Sequence, residues 1–220
     1  LKGGEYTVKT IVTTELIKDI AEKNHIICYD VYTGFKWIAD IIRKEGGEKF
    51  IGGGEESFGY MPGAFTRDKD GVSATSLMAE IAAWVKMQNK TLYSFLKEIY
   101  AKYGFSQERM IYIVRKGLSG AQEIKAMMEE FRHNTPKEIN HSPVVLKKDY
   151  LSLEATNLQT GEKTHLNFET KSDVLQFFLA DGSKISVRPS GTEPKIKFYF
   201  EARAQMKDMN DYERAQQDAN

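Results

Sequence analysis

Apolar positions in the first hundred residues switch repeatedly between the two-residue period of strands and the wider spacing of helices. Short links that contain Thr, Gly or Asn separate the segments, and Gly46-Gly47 stops the second helix. This order of strand, helix, strand, helix and strand indicates a parallel α/β sheet, expected here as part of a three-layer domain. The strand-like runs are residues 5–13, 26–31 and 49–51, and the helices between them begin near Thr14 and Thr33.

The pattern changes after two further helices, which the apolar spacing predicts over residues 71–89 and 91–103. Gly104 ends the second of them, so we predict domains at residues 1–104 and 105–220. Short strand-like runs then dominate, and Asp181-Gly182 between two of them is typical of a hairpin. We therefore predict an α+β domain with a mainly antiparallel sheet. Its strands are expected at 109–115, 144–153, 164–168, 174–180, 184–187 and 196–202, its helix at 121–132, and a helix or frayed end at 206–220.

The charges balance, with 31 basic and 31 acidic residues among 220. No global field favours nucleic acid or an anionic membrane, so any anion site has to be local. No apolar run approaches the roughly 18 residues that a membrane helix needs. The single cysteine, Cys28, lies in an apolar run and is expected to be a core residue. One thiol allows no internal disulfide and fits a reducing compartment, so we expect a cytoplasmic protein.

The segment from Arg188 to Lys195 has the composition of an anion-binding loop. Two prolines stiffen it, and Gly191 can adopt a positive φ that lets neighbouring N–H groups converge. Ser190 and Thr192 add hydroxyl donors, and the Arg188 guanidinium matches two phosphate oxygens. Lys197 follows on the same strand face as Lys195. We predict a phosphate site, although the same residue types also make an ordinary surface turn.

A second group of polar residues follows the predicted parallel strands, where ligands bind in open α/β sheets. Glu55 and Ser57 come directly after the third strand, and carboxylate and hydroxyl groups suit the hydroxyls of a sugar. Thr33-Gly34 follows the second strand, although the same residues can simply cap a helix. The run 67–71 is expected to place Arg67 and Lys69 toward a ligand or solvent while Asp70 caps a helix. The four histidines show no metal-binding spacing, and we predict no metal site in this chain.

Together, three motifs closely resemble the α-D-phosphohexomutases, and the nearest branch is the bacterial phosphoglucomutase/phosphomannomutase type. The motifs are Gly54-Glu55-Glu56-Ser57-Phe58-Gly59, Arg67-Asp68-Lys69-Asp70-Gly71 and Arg188-Pro189-Ser190-Gly191-Thr192-Glu193-Pro194-Lys195. Thr10–Thr14 and Asp30–Lys36 fit the same family. The family has four domains, and this chain resembles the later part of the third and most or all of the fourth. The phosphoserine of the first domain and the Mg²⁺ loop of the second are absent from this sequence.

The resemblance implies a role for each matching residue. Glu55 and Ser57 would bind sugar hydroxyls, with Thr33 as a further substrate contact and Lys69 close to the substrate in a possible proton transfer. Arg188, Ser190, Gly191 and Thr192 would hold the non-reacting phosphate. Lys197 stands where relatives often have an arginine.

The resemblance also implies a reaction. Phosphoserine would phosphorylate a hexose phosphate, of glucose or mannose, to a 1,6-bisphosphate such as glucose 1,6-bisphosphate, and then recover the other phosphate. Phosphoserine and Mg²⁺ would come from the missing N-terminal domains of the same enzyme, so we expect this chain alone to be inactive. The alternatives are a stand-alone phosphosugar-binding module and an interaction domain whose loops are ordinary turns. An upstream coding region with a Ser-His-Asn-Pro motif would favour the mutase.

Overall fold

A computed structural model describes residues 2–191 and 193–219, with the exception of the Leu118 side chain. The chain forms two compact units. The first unit is Leu1–Ser106 together with Gln205–Asp218, and the second is Gln107–Ala204 with the last two residues. None of the helices in the described part is both long and apolar enough to cross a membrane.

The first unit is built on a four-stranded sheet in the order β2-β1-β3-β4. β1 pairs in parallel with both β2 and β3, which confirms the predicted α/β arrangement. The short strand β4 is antiparallel to β3 and was not predicted. The elements are β1 (Tyr6–Thr10), α1 (Leu16–Lys23), β2 (Ile27–Val31), α2 (Phe35–Glu45), β3 (Phe50–Glu55), β4 (Gly59–Met61), α3 (Gly71–Met87) and α4 (Leu92–Tyr103).

Alternation along β1 divides its side chains between two faces of this sheet. Tyr6 and Val8 lie in the core that α2 covers, where Ile38 and Ile42 of the helix are buried. The predicted strand over residues 5–13 was too long, because the Thr13 N–H donates to the Thr10 carbonyl and turns the chain.

The second unit has one eight-stranded sheet, in which β5-β12-β11-β10-β7-β8-β9 are neighbours in that order and β6 pairs with β7. The α+β class and the antiparallel hairpin at Asp181-Gly182 are confirmed. The elements are β5 (Phe105–Val114), α5 (Gly117–His133), β6 (Glu138–Ile139), β7 (Ser142–Asp149), β8 (Glu154–Asn157), β9 (Lys163–His165), β10 (Leu175–Leu179), β11 (Lys184–Pro189) and β12 (Lys195–Ala204).

Helix α5 covers one face of this sheet. Ile124 and Met128 of the helix are buried against apolar side chains of β10, β11 and β12. The predicted strand over residues 144–153 was too long by its last four residues, because β7 ends at Asp149. The Asp149 carboxylate accepts the Leu151 N–H at 2.9 Å, and Leu153 has a φ of 60°, so the chain turns before β8.

The C-terminal segment forms a short 3₁₀ turn and helix α6 (Tyr212–Asp218) within the first unit. Tyr212 is buried, and its ring lies 5.6 Å from the ring of Tyr93 and 5.7 Å from that of Phe105. Aromatic pairs at such distances stabilise the fold beyond the area that they bury.

Replacing Tyr212 with alanine should lower the free energy of unfolding by about 3 kcal/mol, because a buried aromatic ring would leave a cavity. Met87 is 84% exposed in the same unit, and Met87→Ala is the control, with a change within about 0.5 kcal/mol. Urea unfolding measures both. Equal losses in the two variants would show that the Tyr212 cluster contributes nothing of its own.

Candidate functional site

The carboxyl ends of β2 and β3 bring the first group of predicted site residues together. Glu55 is the last residue of β3, and Gly34 directly precedes α2. The Gly34 N–H donates to the Glu55 carboxylate. Gly34 has a φ of 122°, which side chains rarely allow, and the first N–H groups of a helix have no partners within the helix. The carboxylate is therefore fixed at the positive end of the α2 dipole.

Lys69 lies close to this edge of the sheet. Its ammonium is 5.6 Å from the centre of the Phe35 ring, and Phe35 is the first residue of α2. Gly59 pairs with Glu55 across β3 and β4, and a Cβ at Gly59 would lie 2.5 Å from the Phe35 ring. Because Gly59 has no side chain, the Phe35 ring and the neighbouring Lys69 ammonium fit beside Glu55. Asp70 caps α3 as predicted, because its carboxylate accepts the Val72 N–H at 3.0 Å.

The remaining predicted residues of this unit are placed differently. Thr33 is half-buried just before α2, and Ser57 is exposed in the turn between β3 and β4. Arg67 donates to the Ala64 carbonyl at 2.5 Å, and a Cβ at Gly47 would lie 3.8 Å from its guanidinium. Gly47 precedes β3, whose other end carries Glu55. The structure therefore groups Gly34, Glu55 and Lys69 but does not bring Arg67 to them.

Lys9 was not predicted, although it lies near the same sheet edge. Its side chain is fully buried, with the ammonium 2.7 Å from Asp30 and 3.0 Å from Glu15. Burial alone would lower the pKa of Lys9, but the two carboxylates raise it above the ordinary lysine value. The sequence signal was a lysine in the middle of a strand of apolar and β-branched residues. Its cross-strand partner is Asp30.

Cys28 was expected to be a core residue, and it is half-buried. Burial raises the pKa of its thiol to about 11, so the thiol stays protonated at neutral pH. The thiolate is the reactive form, and the structure gives this cysteine no nucleophilic role.

In the second unit, Arg188 and Lys197 face each other directly across β11 and β12. Both are half-buried, and both belong to strands rather than to the loop. Residues that are directly opposite each other on paired strands have neighbouring side chains. The guanidinium and the ammonium can therefore both approach one anion, and two such cations suit a phosphate.

The loop above these cations is held by its own backbone. The Ser190 N–H donates to the Lys195 carbonyl at 2.7 Å, and the Arg115 N–H donates to the Pro194 carbonyl at 2.9 Å. Gly191 can adopt a positive φ, but its φ here lies outside the left-handed region, and open space surrounds the residue. Thr192 lies outside the described residues. Gly191 therefore leaves the loop accessible to a ligand, and it does not bend the backbone through a left-handed conformation.

Glu193 places a negative charge within the proposed phosphate loop, and Lys195 offsets it. The two charged groups are 2.5 Å apart. The hydrogen bond from Lys195 lowers the pKa of the exposed Glu193 carboxyl. A pocket of about 380 Å³ lies behind the loop, between Ser190, Pro194 and Lys195 on one side and Ile124 and Met128 of α5 on the other.

Within the described residues, no group of three or more His, Cys, Asp or Glu side chains is placed to hold a metal ion. The resemblance places the Mg²⁺ loop in a domain outside this chain, so it predicts no Mg²⁺ ligands among these residues.

Both halves of the chain match models of one protein family. The family model described as phosphoglucomutase/phosphomannomutase, alpha/beta/alpha domain III, matches residues 1–103. The model for the C-terminal domain of the same family matches residues 122–216.

Individual relatives agree with these matches. The phosphoglucomutases of Staphylococcus aureus strains bovine RF122 / ET3-1 and N315 are each 37% identical over 193 residues. The aligned part is 87% of this chain and 35% of theirs, so the chain spans about a third of their length. A crystal structure of pp63/parafusin from Paramecium, a phosphoglucomutase in an open form, has a TM-score of 0.65 at 20% identity and shows the same fold. It covers 91% of this chain, which corresponds to 34% of that protein.

Replacing Lys9 with methionine should lower the free energy of unfolding by about 2–3 kcal/mol at pH 7, because two partly buried carboxylates lose their cation. Since the pKa of Lys9 is raised in the folded state, its contribution is complete below the unfolded value of about 10.4. The contribution is lost as the pH rises through the folded value.

Urea unfolding of both proteins between pH 6 and 11 tests this expectation. The difference should stay constant to about pH 10 and then shrink. Lys18 is exposed and its ion pair with Glu22 is long, at 3.9 Å, so Lys18→Met is the control with little effect. A difference that falls between pH 6 and 9 would contradict the assignment.

Proposed function

Because the chain belongs to the phosphoglucomutase/phosphomannomutase family, we propose that it forms the substrate-recognition part of a phosphosugar mutase. That enzyme interconverts hexose 1-phosphate and hexose 6-phosphate, of glucose or mannose. The observation that carries this proposal is the pair of cations, Arg188 and Lys197, that face each other at the base of an accessible loop.

The second unit would bind the phosphate that does not react. Arg188 offers a planar fork of N–H donors, and Lys197 adds a second positive charge. Ser190 and Thr192 would add hydroxyl donors, and Gly191 would let the ligand approach the backbone. This mixture of donors suits a site that accepts either the 1-phosphate or the 6-phosphate of a hexose, because it does not demand one fixed geometry.

The first unit would recognise the sugar. The Glu55 carboxylate keeps lone pairs for two neighbouring hydroxyls beyond the one that accepts the Gly34 N–H. Ser57 is exposed in the adjacent turn, and Thr33 precedes the helix that Gly34 begins. Lys69 would lie near the reacting hydroxyl and hold or release its proton. Arg67 stays a predicted contact that the structure does not bring to this group.

The proposed reaction has two phosphoryl transfers. A phosphoserine outside this chain would donate its phosphoryl group to the bound sugar phosphate and so form a hexose 1,6-bisphosphate. The bisphosphate would then present its other phosphate to the serine, while Arg188 and Lys197 hold the phosphate that remains. Mg²⁺, bound outside this chain, would supply charge neutralisation at the transferring group. The chain alone would then bind phosphosugars without turnover.

Replacing Arg188 with alanine should weaken the binding of glucose 1,6-bisphosphate to this chain at least tenfold, since about 1.4 kcal/mol corresponds to tenfold in affinity. A charge-assisted bidentate contact contributes at least this much. Isothermal titration calorimetry measures it. Arg109 is an exposed arginine of the same unit, and Arg109→Ala is the matched control. Unchanged affinity in folded Arg188→Ala would refute the phosphate assignment.

Replacing Glu55 with glutamine should separate the two recognition tasks. The amide keeps the size of the side chain but loses the charge that orders the Gly34 N–H and the sugar hydroxyls. Affinity for glucose 1-phosphate should fall roughly tenfold, whereas affinity for inorganic phosphate should not change. Calorimetry with both ligands measures this. Equal losses of affinity for the two ligands would show that the substitution perturbs the fold and that Glu55 does not recognise the sugar.

A further inference from the structure

One face of the β11–β12 ladder is polar although most of it is buried. Three cross-strand pairs share this face, because residues two apart on a strand point the same way. From the buried end toward the loop they are Lys184 with Glu201, Ser186 with Tyr199, and Arg188 with Lys197. The last pair is the proposed phosphate-binding pair, and the first is an ion pair in the interior.

The Lys184–Glu201 pair is almost completely removed from solvent. The two side chains are 2% and 3% exposed, and their charged atoms are 3.2 Å apart. Arg203 approaches the same carboxylate at 3.5 Å. A buried ion pair usually adds little net stability compared with apolar residues of the same size, and its best-attested use is to fix register.

The register of β11 against β12 needs such a device. A shift of one residue would turn the apolar face outward, and the core opposes it. A shift of two residues keeps both faces, so the core discriminates poorly against it. In one direction the shift would place Lys184 opposite Arg203, and in the other it would place Lys184 opposite Tyr199, so in both cases Lys184 loses the carboxylate of Glu201. Both shifted registers therefore bury a charge that has lost its cross-strand counterion.

The connection between the two strands does not set this register by itself. Five residues separate β11 from β12, and four separate β10 from β11 at the turn around Asp181-Gly182. The Ser190 N–H to Lys195 carbonyl hydrogen bond closes the loop end of the ladder, whereas the Lys184–Glu201 pair lies at its other end and adds a second constraint there.

We propose that the Lys184–Glu201 ion pair is the register lock that holds Arg188 opposite Lys197. Both residues are positioning residues, and they act on the ligand only through strand pairing. The consequence for phosphate affinity rests on the proposed function, but the consequence for strand register does not.

The test uses three variants of this chain. Lys184→Met removes one partner, and Lys184→Met/Glu201→Leu replaces both with apolar side chains. Lys184→Arg keeps the charge, and a pocket of about 320 Å³ that both side chains line gives the larger group room. Three quantities are measured: the midpoint of urea unfolding, cross-strand nuclear Overhauser effects between Ser186 and Tyr199, and the affinity for inorganic phosphate.

Lys184→Met should lose stability, and the double variant should recover only part of it, because Arg203 also loses its contact with Glu201. The double variant should nevertheless show a weakened Ser186–Tyr199 effect from mixed registers and bind phosphate roughly tenfold more weakly. Lys184→Arg should keep the native register and affinity. A double variant that is stable, has one native register and binds phosphate normally would overturn the proposal. If the unmutated chain binds no phosphate, the proposed function fails. The nuclear Overhauser effects still show whether the Lys184–Glu201 pair fixes the register of β11 against β12.

Discussion

A charged side chain that is buried away from water needs a counterion, and this constraint applies in both units. In the first unit the buried Lys9 joins Asp30 of β2 and Glu15 before α1, so three neighbouring segments depend on one ammonium. In the second unit the ion pair of β11 and β12 is buried in the same way. Each buried cation lies on a strand that leads to a proposed binding surface, so charge pairing and ligand recognition depend on the same strands.

Local patterns predicted the architecture well. Apolar periodicity and short links were sufficient to predict the parallel sheet, and the Asp181-Gly182 pair was sufficient to predict the hairpin. The proximity of Gly34 to Glu55 also followed from the sequence, because parallel strands end at one edge of their sheet. These features depend on residues that are close in sequence or on a general rule of topology.

Features that depend on distant residues were not predicted. The counterions of Lys9 come from two other segments, and the contacts of Tyr212 are more than a hundred residues away in sequence. The φ of Gly191 illustrates a different limit: glycine permits a positive φ, but permission does not require it. The placement of Arg67 away from Glu55 likewise depends on how the loop before α3 folds, which its charges alone do not specify.

The path of the chain has a consequence for how the protein is made. The chain leaves the first unit at Ser106 and returns to it only at Gln205, after the whole second unit. On the ribosome, the first unit therefore emerges long before the segment that contains Tyr212. Until then the aromatic surface of Tyr93 and Phe105 lacks its cover, and such surface attracts chaperones or other nascent chains. The first unit is therefore complete only after the segment that contains Tyr212 has been synthesised.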